Sequence, residues 1–202
     1  MQNSSIGHHH KEILEYLIDY FKNPVQSIRK LPQWGWPSLL ILQASLAGIS
    51  GLMAFLIKPS VRRFLEALFV LPLSSIITTF IITVFFHYTF YFFFRREISL
   101  KEIFTLLFLS NIPFFFLYIL HPLVPPIVLL GMAVTSLLLI IGLVENFALP
   151  KKTIIRLIGS LFIFYLIIWT FQQIRFTAFS SKNKELKTLP GSIDILEKEL
   201  SD

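Results

Sequence analysis

From residue 38 to residue 171 the chain alternates between long apolar runs and short polar clusters. Five runs stand out, at residues 38–57, 66–94, 103–120, 123–144 and 154–171. Each approaches the roughly 20 apolar residues that a helix needs to cross a hydrocarbon core. A helix also satisfies its own backbone polar groups where there is no water. The pattern predicts an all-α integral membrane protein, a bundle of five transmembrane helices. Pro37 opens the first run, where its missing N–H would have no intrahelical partner anyway. The second run would be about 43 Å long as a helix, against a core of about 30 Å. It must therefore tilt, or begin in the interface near Leu71-Pro72. The third run is close to the minimum length. Only His121-Pro122 separates it from the fourth, which makes those two helices antiparallel neighbours. Pro125 and Pro126 fall near the start of the fourth run.

The flanks follow different patterns. In residues 11–21, Ile13, Leu14, Leu17, Ile18 and Phe21 recur at helical spacing, with Glu12, Glu15 and Asp19 between them. This predicts an N-terminal amphipathic surface helix, too polar to span. Asn23-Pro24 interrupts it, since proline disfavours helix in the residue before it. Trp34 and Trp36 suit the headgroup layer. Residues 1–37 thus form a cytosolic N-terminal segment, of which residues 11–36 lie on the membrane surface and residues 1–10 are disordered. Residues 172–202 form a polar C-terminal tail. In it Leu189-Pro190-Gly191 marks a turn, and Ser192 caps a short helix presenting Ile193, Leu196 and Leu200.

Composition sharpens the class. Charged residues make up 15% of the chain, against about 25% in soluble domains, and they cluster at the ends of the apolar runs. The net charge of +6 invites a nucleic-acid reading. The basic residues sit where Lys and Arg set membrane topology, not in a stripe interleaved with aromatics, so no nucleic-acid partner is expected. Lys and Arg of the N-terminal segment, the 95–101 loop and the 151–156 segment outnumber those of the 58–63 loop and the tail. That places the N-terminus in the cytoplasm. There is no cysteine, which excludes disulfides and thiolate metal sites. The first long apolar run begins too far along for a cleaved signal peptide, so it serves as its own insertion signal.

Candidate chemistry is sparse. Ser75, Thr79, Thr83 and His87 lie at four-residue steps on one face of the second run. Such a polar stripe either lines a wet path or bonds to neighbouring helices and its own backbone. Ala44, Ala47, Gly48 and Gly51 form a small-residue face on the first run, suited to close helix packing within the chain or between chains. Asn111 and Pro113 predict a kink inside the third run. Glu145 and Asn146 read as interface residues, since no charge sits at a span centre, where ion-coupled transporters commonly place one. His8, His9 and His10 lack a fixed partner and make a poor metal site. There is no nucleophile elbow, HExxH, P-loop or pair of intramembrane carboxylates. No enzymatic activity, cofactor or metal is expected.

Three segments in order resemble the Yip1 domain family, over about residues 19–166. The first is FKNPVQSIRKL at residues 21–31, after the amphipathic helix. The second is REISLKEIFTLLFLSNIPFFF at residues 96–116, with its Ser110-to-Pro113 element. The third is GLVENFALPKKTIIRLI at residues 142–158. The resemblance implies five spans and a cytosolic N-terminus. The tryptophan common in the family's fourth span is missing here, as is the long acidic N-terminal region of eukaryotic members. Those members act in vesicle transport and bind small GTPases, and that partner is not carried over. A compact chain looks more like a prokaryotic member of the bacterial inner membrane. The expectation is a non-enzymatic polytopic protein acting through contacts with membrane lipids, other membrane proteins or itself, in membrane organisation or trafficking. The alternative is a small transporter or channel subunit using the polar stripe.

Overall fold

The computed structural model describes residues 3–188, with side chains described for residues 11–174. Among them every regular element is a helix: α1 (Asn3–Lys22), α2 (Pro24–Ser27), α3 (Trp36–Ile57), α4 (Val61–Leu65), a π-helical turn (Glu66–Val70), α5 (Leu71–Phe94), α6 (Leu100–Tyr118), α7 (Ile127–Phe147) and α8 (Lys151–Thr188). Five stretches are long and apolar enough to cross a membrane: Trp36–Ile57, Val61–Phe94, Leu100–Tyr118, Ile127–Phe147 and Lys151–Ile174. The protein is an all-α polytopic bundle. It divides into two units, residues 1–162 and 163–202, the second holding the C-terminal part of α8.

α6 is the hub of the first unit. Every residue from Ile103 to Ser110 is buried, as are Ile112 and Phe115. Of the five spans it is the most buried and has the lowest mean hydropathy. The two facts have one cause. A helix walled in by protein need not be apolar on every side, whereas α5 shows Phe80, Ile81, Phe85, Phe92 and Phe93 on its outer face and must match the lipid.

α6 and α7 are antiparallel and close. Gly131 and Gly142 lie three helical turns apart and so share one face. A Cβ at Gly131 would come within 3.2 Å of the Phe114 Cα, and one at Gly142 would collide with the Leu106 side chain. The connection between these helices is a series of turns over residues 119–126, longer than His121-Pro122 alone. α7 begins only after Pro125 and Pro126 because neither can donate to a preceding turn.

The over-long second span runs from Val61 to Phe94. Its first turns carry Arg62, Arg63 and Glu66, with an Arg62–Glu66 ion pair at 2.7 Å. They suit the interface and leave the apolar remainder for the core. At the π turn a Cβ on Gly51 would sit 2.8 Å from the Ala67 Cα. The glycine therefore lets α3 touch the backbone of the second span.

The N-terminal helix starts at Asn3, not after residue 10; elongating an existing helix is far easier than nucleating one. The side chains of His8, His9 and His10, and the turn and capped helix read from residues 189–200, lie outside the described residues.

Candidate functional site: a docked N-terminal segment

α1 has three faces. Ile13 and Tyr20 are buried, with Tyr16 and Leu17 half-buried beside them. Lys11, Glu12, Glu15, Asp19 and Lys22 are exposed. Leu14, Ile18 and Phe21, at i, i+4 and i+7, are exposed as well. The first face packs on the bundle, the second is charged, and the third is an exposed apolar row whose last member, Phe21, meets Phe116.

The deepest anchor is Tyr20. Its hydroxyl donates to the Leu109 carbonyl at 2.7 Å, nine residues along α6 and so about 13 Å from its start. Pro113 explains why that carbonyl is available. In an unbroken helix the Leu109 oxygen would accept from the N–H of residue 113, and proline has none. The tyrosine supplies the donor that the proline removed. α6 stays helical through the kink candidates Asn111 and Pro113, and Tyr20 docks at the carbonyl one turn before the proline.

Further contacts hold the chain that follows. Asn23 caps α2, its side-chain oxygen accepting from the Gln26 N–H at 3.2 Å, and Pro24 takes the first helical turn. The Tyr16 hydroxyl lies 2.8 Å from the Ser27 carbonyl and 3.2 Å from that of Lys30. Asn146 at the end of α7 donates from its amide nitrogen to the Ile28 carbonyl at 2.8 Å and to the Gly142 carbonyl at 2.9 Å. Arg29 lies 3.9 Å from Glu145; both are half-exposed, so that pair contributes little. Trp34 is buried, its ring edge-on to Tyr16 and Phe108, and Trp36 meets Phe104.

Burial pushes the Tyr16 hydroxyl up to about 12. It also raises Tyr20, with Tyr16 adding to the effect. Both stay protonated, and able to donate, across the physiological range. Ionisation near pH 10 is easier for the undocked than for the docked tyrosines, so their contribution to docking is intact below about pH 10 and falls as pH rises towards 12. Ultraviolet titration of tyrosinate in detergent should show two fewer late-titrating groups in Tyr16→Phe/Tyr20→Phe than in the parent. If that variant titrates like the parent, the docked geometry is wrong.

The polar stripe on α5 meets α3 at Ser75 and Thr79. Thr79 and Thr83 are buried and Ser75 and His87 half-buried. Gln43 of α3, fully buried, donates to the Thr79 hydroxyl at 3.0 Å and lies 3.4 Å from the Ser75 carbonyl. Ser75 donates to the Pro72 carbonyl and Thr83 to the Thr79 carbonyl. His87 Nδ1 lies 2.9 Å from the Ile98 carbonyl, so it donates in the Nδ1-protonated tautomer. On the small-residue face, Ala47 and Gly51 are buried and Ala44 and Gly48 half-buried, and Gly48 lies against Pro72. Sequence reasoning missed Gln43, Tyr20 and Asn146 as contact makers. Gln43 carried a signal, a lone amide inside an apolar run. Tyr20 and Asn146 carried none, because aromatic and amide residues at helix ends are ordinary.

No curated protein and no solved structure matches the chain. A family model, described as the Yip1 domain, matches residues 18–171. The match takes in the end of α1 with Tyr20, the capped α2 segment, Pro113 of α6 and the greater part of all five spans. On that extent the chain belongs to the Yip1 domain family and is a polytopic membrane protein.

Proposed function

We propose that this protein is non-enzymatic and acts through lipid and protein contacts in membrane organisation or trafficking, with α1 as its contact element. One observation carries the reading. The exposed row Leu14, Ile18 and Phe21 does not stop at α1: the Phe21 ring packs edge-on at 5.2 Å against Phe116, an exposed residue of the α6 span. An apolar row continuous with the outer surface of a span meets the same solvent as that span, which is lipid. α1 is then held by protein on one face and lipid on another, with its acids and lysines on a third. We place the segment on the cytoplasmic side of a bacterial inner membrane, on the basis of the Lys and Arg distribution. A conduction path along Ser75, Thr79, Thr83 and His87 draws less support, since these groups are bonded to α3, to their own helix or to Ile98.

The chain has no cysteine, so single cysteines at positions 14, 18, 21, 15 and 19 can carry spin labels in reconstituted vesicles. Labels at 14, 18 and 21 should be accessible to oxygen and shielded from a water-soluble relaxant, with the reverse at 15 and 19. Equal aqueous access at all five positions would remove the lipid contact and with it this reading.

A further inference from the structure

The end of the bundle where α5 and α7 stop and α6 begins holds a cavity of about 250 Å³. Its polar wall is Arg96, Glu97, Glu102 and Asn146, and Phe147 and Ala148 close another side. The volume lies below the roughly 300–1,000 Å³ of sites for drug-sized ligands. Two helix ends shape it. Arg95 and Ala148 terminate α5 and α7 in the left-handed region, with φ of 51° and 49°. That conformation is unfavourable by about 1–2 kcal/mol for a residue with a Cβ.

The wall carries charge that no described residue pairs with, and its Arg96 and Glu97 are exposed. Among the described residues, Arg96, Glu97 and Glu102 enter no ion pair and no side-chain hydrogen bond. Both amide protons of Asn146 are taken by Ile28 and Gly142, which leaves its side-chain oxygen as an acceptor. The cavity therefore offers one guanidinium and three groups that accept. Its height is set by the spans: Phe94, Leu100 and Phe147 are span ends, so these groups stand in the headgroup layer.

We propose that this cavity holds the headgroup of a phospholipid bearing a primary ammonium, the phosphoethanolamine class. Arg96 takes the phosphate, as a guanidinium matches two phosphate oxygens at once. Glu97, Glu102 and the Asn146 oxygen take the ammonium, whose three protons need three acceptors. A purely anionic headgroup leaves both carboxylates facing negative charge. A choline headgroup brings positive charge without an N–H. The site is separate from the exposed row of α1, so either assignment can fail alone.

Native mass spectrometry of the full chain from detergent, titrated with phosphatidylethanolamine, phosphatidylcholine and phosphatidylglycerol of identical acyl chains, tests the assignment. Phosphatidylethanolamine should be retained about tenfold more strongly than the other two, the ratio expected for hydrogen bonds to charged groups. Glu97→Gln/Glu102→Gln should abolish that preference, and Arg96→Gln should weaken retention of all three lipids. The preference is a ratio within one sample, so it does not depend on how much of a variant folds. Equal retention by the parent, or a preference that survives in the double glutamine variant, would overturn the proposal. So would soluble phosphoethanolamine binding as tightly as the lipid, which would reassign the cavity to a free metabolite.

Discussion

Replacing Tyr20 with phenylalanine is expected to loosen α1 from the bundle by about 1–2 kcal/mol. The ring remains, so packing is nearly unchanged. What is lost is the donor to the Leu109 carbonyl, which has no N–H from position 113 to return to. An acceptor left unpaired in an apolar setting is the costly half of a broken hydrogen bond. Opening of α1 should become about 5- to 30-fold more frequent, read as faster amide hydrogen exchange over residues 11–22 with α6 and α7 unaffected. The proline supplies the stricter test. In a Pro113→Ala background the restored N–H can bond Leu109 within the helix, so Tyr20→Phe should then have little effect. That non-additivity is the signature of a shared carbonyl. If Tyr20→Phe loosens α1 equally in both backgrounds, the carbonyl is not what the tyrosine holds.

The second large effect concerns Gly51. An alanine there must displace the Ala67 backbone, since the new Cβ would lie 2.8 Å from the Ala67 Cα. Overpacking of this kind costs about 1–3 kcal/mol, of which roughly 1 kcal/mol is offset because alanine favours helix over glycine. Gly51→Leu has the same collision and a larger side chain, so a net loss of about 2–3 kcal/mol is expected. Gly159 is the control: nothing lies within 4 Å of a Cβ built on it. Thermal denaturation in detergent should show Gly51→Leu clearly destabilised and Gly159→Leu close to the parent. A Gly51→Leu variant as stable as the parent would mean that α3 does not meet the π turn closely.

The fold was largely legible because burial in a membrane is decided by composition over about 20 residues, a property of the local chain. Helix ends were less legible. The second span begins at Val61 and α7 at Ile127, because a Ser60 cap and a pair of prolines alter backbone bonding without altering hydropathy. The polar stripe and the small-residue face were visible as patterns. The residue each one meets was not: Gln43 answers Thr79 from another helix, and Ala67 answers Gly51 across the π turn.

The sequence by itself determined that this protein crosses a membrane as a helical bundle, that its N-terminal helix is amphipathic, and that Pro113 leaves the third span without one backbone N–H. Periodicity and hydropathy carry that much because they describe how each segment partitions between water and lipid. Only the tertiary structure decided that α6 is the hub, that Tyr20 fills the place of the N–H missing at Pro113, and that Arg96, Glu97, Glu102 and Asn146 share one cavity. These depend on pairs such as Tyr20 and Leu109, 89 residues apart, and nothing in the local chain specifies which distant carbonyl a hydroxyl will find.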